Sequence, residues 1–435
     1  MESRKVLIIT YYWPPSGGPG VQRWLKFTKY LREFGWEPII YTAENPEAPE
    51  IDRSLEKDIP ESLRVIRRRI WEPYHLYKFF IGQSQKTQVN QAFLSDTQKP
   101  KTTEIISRWI RGNFFIPDAR KFWIKPSIKF LSKWLGENPV DVMVSTGPPH
   151  SMHMIGRGLQ EATGIPWLAD FRDPWTNIDY YDDLLPGTRA NRLHHKLEAE
   201  VVTKADRVVT VSPTWKKELE AVHIRSVDLL TNGYDEDDFE GVNPEQDPFF
   251  SISHIGTLMP SRNPVALWDA LSQLVRENEN FARDFRLVLV GRVDFSVKEA
   301  LREYGLNDNL IETGYLPHNE VIKRQKSTWV LLDILKKARN TKGLYAGKIF
   351  EYLAAKRPIL IIGPQDSDAA KLIKKLKAGY AVGFDDVHSM KERIRSLYSD
   401  YRQNGLASKS IAVEQFSRRN LTSQLSGILS DMIKG

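Results

Sequence analysis

The sequence predicts an α/β protein made of two Rossmann-like domains, each with a doubly wound parallel sheet. Three observations carry this: short apolar runs alternate with helical stretches, the rhythm occurs twice, and a polar break separates the two series. Runs that are apolar on both faces and alternate with helices are what parallel strands covered on both sides require. A chain of 435 residues exceeds what one core serves, and 41% hydrophobic with 27% charged residues supplies two.

The first series runs through 6–10, 38–42, 140–145, 167–170, 208–211 and 227–230; the second through 251–255, 285–290, 310–313, 329–332, 359–362 and 380–382. Between them Thr231-Asn-Gly-Tyr234 leads into DEDDFEGVNPEQDP, which predicts a linker near 233–248. The expected domains are therefore 1–235 and 236–415, followed by a terminal helix over 416–435 that can pack back on the first domain. No tandem repeat or low-complexity tract interrupts the pattern.

Composition narrows the classes further. No apolar run reaches the roughly 20 residues of a membrane-spanning helix, and the chain enters its first strand without an apolar leader, so a cytoplasmic protein is expected. Zero cysteines exclude disulfides, thiolate catalysis and cysteine-ligated metal centres.

The net charge of +7 is concentrated in one place. Residues 60–136 hold 15 Lys and Arg against 5 Asp and Glu, a local +10 that leaves −3 elsewhere, together with 13 of the 47 aromatic residues. This segment departs from the βα rhythm and reads as a basic, aromatic insertion. Trp109, Phe114, Phe115, Phe122, Trp123, Phe130 and Trp134 lie among Arg108, Arg111, Arg120, Lys121, Lys125, Lys129 and Lys133. Such interleaving suits an anionic membrane surface, although helices that bury rings and leave cations in water would look the same. A nucleic-acid groove would want similar residues.

Three places bear chemistry. After the first strand, Gly17-Gly18-Pro19-Gly20 delivers the chain to a helix N-terminus, where unpaired N–H groups and the helix dipole favour a phosphate. A plain strand-to-helix connection explains these glycines equally well. Late in the chain, Lys348 and Glu351 stand three apart near the start of a helix, a cation for a diphosphate and a carboxylate for two ribose hydroxyls. His150, and Asp170, Arg172 and Asp173, follow strands of the first domain at the carboxyl ends where doubly wound sheets put ligands. Asp235-Glu-Asp237 spells a metal-binding pattern inside an acidic linker and is expected to bind none; His194 and His195 are expected to be solvated.

Together with STGPPHSMH at 145–153, DFRDPW at 170–175, TNGYD at 231–235, HIGTL at 254–258, LVLVG at 287–291, TGYLPHNEV at 313–321 and GKIFEYLAAKRPIL at 347–360, these stretches resemble family 4 glycosyltransferases of the GT-B fold. The resemblance covers nearly the whole chain apart from 60–136. It implies two Rossmann-like domains facing across a cleft, with a nucleotide-sugar held mainly by the second and an acceptor by the first.

By that resemblance Glu351 holds the ribose, Arg262 and Lys348 neutralise the diphosphate, and Gly17, Gly18 and Gly256 approach it. Gly291, Arg292, Tyr315 and Leu316 approach the base, while His150 and Asp173 orient or deprotonate the acceptor beside Asp170 and Arg172. Two departures stand out: the family's first glutamate falls on Gly343, and an expected arginine falls on Thr257. The implied activity is retaining sugar transfer from a nucleotide-sugar to a hydroxyl of a lipid-linked or cell-envelope glycan. No metal or cofactor is expected, and the site is expected in the cytoplasm, peripheral at the inner face of the membrane. A sugar-nucleotide 2-epimerase on the same fold, or a non-catalytic binder of sugar-nucleotides or nucleic acid, remains an alternative at this stage.

Overall fold

The computed structural model describes residues 3–47, 51–72, 102–404, 406 and 410–434. It divides into two compact units, Met1–Thr231 with Arg418–Gly435, and Asn232–Ser417.

In the first unit seven strands form one parallel sheet: β1 (Arg4–Ile9), β2 (Trp36–Ala43), β3 (Arg64–Arg68), β4 (Val142–Gly147), β5 (Trp167–Phe171), β6 (Arg207–Thr210) and β7 (Asp228–Leu229). Their order is β3-β2-β1-β4-β5-β6-β7, so the chain starts at the centre and winds outward twice. The inner strands are fully buried, which is why they read as unbroken apolar runs. Edge strand β3 was not expected. Its RVIRR sequence leaves every residue partly or fully exposed, so it lacks an apolar run, and its charges suit a sheet edge.

The second unit has six parallel strands: β8 (Phe250–Ile255), β9 (Phe285–Val290), β10 (Leu310–Gly314), β11 (Val330–Ile334), β12 (Ile359–Ile362) and β13 (Gly379–Val382), in the order β10-β9-β8-β11-β12-β13. It has a core on each face of the sheet, one around Trp268, Phe281 and Leu332 and one around Ile349, Tyr352 and Leu331. Where β13 begins beside β12 only glycine fits at 379, since a Cβ would lie 1.9 Å from the carbonyl oxygen of its partner Ile359.

The terminal helix Arg418–Met432 buries Leu421, Leu425 and Leu429 in the core of the first unit. Arg418 stacks over Phe27 and Arg419 over Tyr30 of the helix Pro19–Leu31. Among the described residues no helix is long and apolar enough to cross a membrane.

One ion pair ties the first unit together. Asp170, at the end of β5, is fully buried and accepts from Arg23 Nε (3.1 Å) and Nη2 (2.9 Å), Trp24 Nε1 (2.7 Å) and Thr146 Oγ1 (2.9 Å). Arg23 also donates to the carbonyls of Leu230 and Thr231 at 2.9 Å. Burial would raise the Asp170 pKa, yet Arg23, Trp24 and Thr146 hold it below the ordinary carboxylate value. Removing the carboxylate strands a buried guanidinium, so Asp170→Ala should cost about 3–5 kcal/mol. Ten of the twelve tryptophans lie in this unit, so urea unfolding followed by tryptophan fluorescence reads the loss. An unchanged midpoint would show that the pair does not support the unit.

Candidate active site

Each sheet reverses its winding beside its first strand, between β1 and β4 in the first unit and between β8 and β11 in the second. Ligands of doubly wound sheets sit at the carboxyl ends of such strands. Most of the expected site residues fall at one or the other of these two places.

In the second unit, β8 runs into Gly256, and Arg262 closes the 3₁₀ turn Pro260–Arg262. Gly256 (φ 124°) and Gly291 (φ 108°) pack backbone to backbone: a Cβ on Gly291 would lie 2.9 Å from the Gly256 carbonyl oxygen. Neither position accepts a side chain, so both loops keep their backbones accessible to a ligand. Lys348 is the first residue of the helix Lys348–Ala354, whose Gly347 N-cap offers no side-chain cap. Its ammonium lies 3.0 Å from Asp333 Oδ1 at the end of β11 and 3.5 Å from the Ile255 carbonyl oxygen. Burial lowers the Lys348 pKa and Asp333 opposes that shift, while the charge of Arg262 adds to the lowering.

Asp333 is 1% exposed, and neither of its carboxylate oxygens meets a well-aligned hydrogen-bond donor. Lys348 is its only ion-pair partner among the described residues. Glu351 stands one turn along the helix and accepts from Gln325 Nε2 at 2.8 Å. Gln325 is fully buried, so it braces one carboxylate oxygen. Behind them the Tyr352 hydroxyl accepts the Ile255 N–H at 3.1 Å, and His254, held uncharged by burial and by Lys348, places Nδ1 3.1 Å from the Leu332 carbonyl oxygen. Arg292 is exposed, Tyr315 is 72% exposed beyond β10, and Leu316 packs into the second-unit core. Gly343 is buried at the end of the 3₁₀ turn Thr341–Gly343, and Thr257 is exposed.

In the first unit, Gly18 (φ 93°) is the N-cap of Pro19–Leu31 and supplies no side-chain cap. A Cβ on Gly20 would lie 2.7 Å from Arg172 Nη1, so the guanidinium lies against this loop. Arg172 also reaches the Pro148 carbonyl oxygen at 3.2 Å and Asp173 at 3.3 Å.

His150 precedes the helix Ser151–Thr163 and stacks on Trp175 with centroids 4.5 Å apart. Its pKa is lowered well below the ordinary value, first by burial and then by His153, His194 and Arg172. His153 is fully buried, and its Nδ1 lies 2.9 Å from Ser145 Oγ. Burial pulls its pKa down to about 3, with Asp170 opposing. His150 Nδ1 and His153 Nε2 have no partner and face Gly147, whose missing Cβ would lie 2.9 and 2.6 Å from them.

Three expectations need correction. Asp170 is consumed by Arg23, Trp24 and Thr146 and has no oxygen left for an acceptor. His194 is not solvated: it is 2% exposed and receives Trp175 Nε1 at 3.1 Å. Arg120, counted among the surface cations, is buried against Glu72 (2.7 Å) and over the Tyr11 ring, and Trp123 is also buried. Residues 73–101 of the expected insertion lie outside the described residues. Asp235 accepts the Asp237 N–H as a helix cap, and among the described residues no group of three His, Asp or Glu can hold a metal.

Residues 17–235 match the Glycosyl transferase 4-like domain, and residues 235–410 match Glycosyl transferases group 1. The chain belongs to glycosyltransferase family 4 and has the GT-B fold. A glycosyltransferase from Rickettsia africae is 14% identical over all of both chains with a TM-score of 0.66. Sucrose-phosphate synthase from Thermosynechococcus elongatus is 13% identical over 99% of both, TM-score 0.65. A lipopolysaccharide outer core galactosyltransferase is 13% identical over 98% of this chain and 99% of that one, TM-score 0.55. A 75-residue stretch is 33% identical to the flagellar protein FliT of Geobacillus thermodenitrificans, spanning 17% of this chain and 61% of that protein.

This family 4 member should be acid-labile in one defined window. An unfolded histidine protonates near 6.5 whereas His153 resists until about 3, so the unfolded state binds the extra proton and stability falls as pH drops through that interval. His153→Gln should flatten the pH dependence of the urea midpoint there, and an unaltered slope would refute this assignment.

Proposed function

We propose that this chain transfers a sugar from a nucleotide-sugar to a hydroxyl of a lipid-linked or cell-envelope glycan, with retention at the anomeric carbon. Family membership supports glycosyl transfer, and the likeness to a lipopolysaccharide outer core galactosyltransferase supports an envelope acceptor. The observation that carries the donor reading is Lys348, an ammonium at an uncapped helix start, paired on one side only and flanked by Arg262 and by Glu351 on its Gln325 brace.

In this reading the bond from the anomeric carbon to the phosphate oxygen breaks, and its electron pair leaves with the nucleoside diphosphate. A bond to the acceptor oxygen forms on the same face, and the hydroxyl proton is lost. Lys348, held by Asp333, and Arg262 meet the growing phosphate charge without a metal, because a cation fixed before the charge develops needs no reorganisation. Glu351 accepts from the ribose hydroxyls, and the exposed Arg292 and Tyr315 flank the base. Within the first unit, the Gly18 helix start with the Arg172 guanidinium against Gly20 is a group that suits an anion. His150 stays uncharged and orients the acceptor hydroxyl, and Asp173 takes its proton. Such an acceptor places the reaction peripherally at the inner face of a membrane.

A thermal-shift screen over UDP-, GDP- and ADP-sugars tests this. At about 100 times its Kd a true donor adds about 2.7 kcal/mol to stability. One of the sugars should raise the midpoint of the wild type, Glu351→Ala should abolish the shift, and Gln325→Leu should reduce it. Equal shifts in all three proteins would overturn the assignment of Glu351.

A further inference from the structure

We propose that the helix Thr102–Phe114 docks the chain on an anionic lipid bilayer. This helix is built inside out. Its inward side carries Ser107 and Gly112, and a Cβ on Gly112 would lie 2.1 Å from the Leu184 carbonyl oxygen, so close approach replaces apolar packing. Asn113 fastens it, donating to the Leu185 carbonyl at 3.0 Å and accepting the Gly187 N–H at 2.8 Å. Its outward side carries Ile105, Ile106, Trp109, Ile110 and Phe114, with Ile106, Trp109 and Phe114 exposed by 52%, 45% and 58%. Residues at i, i+1, i+4 and i+5 form one stripe, and an apolar stripe left in water marks an interaction surface.

The stripe continues beyond its own helix. Trp109 packs edge-on to Phe114 at 5.5 Å, Phe115 to Phe122 at 6.2 Å, and Phe122 to the exposed Trp71 at 4.9 Å. Lys121 lies over Phe115 and Phe122. The exposed face of the next helix, Lys121–Glu137, then carries Phe122, Lys125, Lys129 and Lys133, and none of these three lysines forms an ion pair among the described residues.

Charge selects the occupant. Rings beside a row of unpaired cations match headgroup phosphates over hydrocarbon, whereas a second copy of the chain would set the same lysines against each other. Arg120, Trp123 and Phe130 take no part in docking. They are turned inward, Phe130 under Arg68. The docking needs neither donor nor acceptor, so it can fail while the transfer reading stands.

The test is co-sedimentation of the full chain with vesicles of phosphatidylcholine alone and of phosphatidylcholine with an equal part of phosphatidylglycerol. The chain should bind the mixed vesicles at least about tenfold more tightly. Ile106→Ser with Trp109→Ser, and separately Lys125→Glu with Lys129→Glu, should each weaken that binding about tenfold while the urea midpoint and donor thermal shift stay at wild-type values. Equal binding to both vesicles, binding to neither, or wild-type binding by either double variant would overturn the proposal. So would a dimer in sedimentation velocity that the Ile106→Ser, Trp109→Ser variant dissolves.

Discussion

A carboxylate buried at the end of a parallel strand has to be met by a cation, and both units of this protein are organised around that requirement. A lone charge is tolerated inside a protein only when paired and hydrogen-bonded. The first unit meets it with Asp170 and Arg23, the second with Asp333 and Lys348. In each, the cation comes from a helix at the carboxyl edge of the sheet, so the pair also sets where that helix begins.

The two pairs are completed differently, and the difference separates support from chemistry. Asp170 has donors on both oxygens, and Arg23 spends two further N–H groups on Leu230 and Thr231. That pair has no capacity left for a ligand. Asp333 has no aligned hydrogen bond, and Lys348 keeps 17% of its side chain exposed beside an uncapped helix start. An under-completed buried pair is costly, and functional sites are where such cost persists. The positive charge of Arg262 adds to the burial that disfavours the Lys348 ammonium, and an anionic ligand would relieve that repulsion.

Most of the fold was legible because strands buried on both faces leave continuous apolar runs. Strand β3 was not, because an exposed edge needs no such run. Lys348 and Glu351 were legible from their spacing at a helix start, while Gln325 gave no signal at all: its contact with Glu351 spans 26 positions. Asp333 left a trace, a lone acid inside the apolar run VLLDIL. Sequence pattern also cannot say which of Asp170 and Asp173 is taken up by the interior, since that depends on Arg23, 147 positions away. The aromatic segment shows the same limit. Its composition was plain, but which rings face outward follows from Gly112 against Leu184, a contact no periodicity encodes.

The central claim is that Lys348 holds a spare valence for the diphosphate. Calorimetric titration of UDP, GDP and ADP into the wild type and into Lys348→Met tests it most directly. At least one nucleoside diphosphate should bind the wild type, and its affinity should fall at least about tenfold in the variant, the loss of a charge-assisted hydrogen bond. Undiminished affinity in Lys348→Met, or no binding of any of the three to the wild type, would contradict the account.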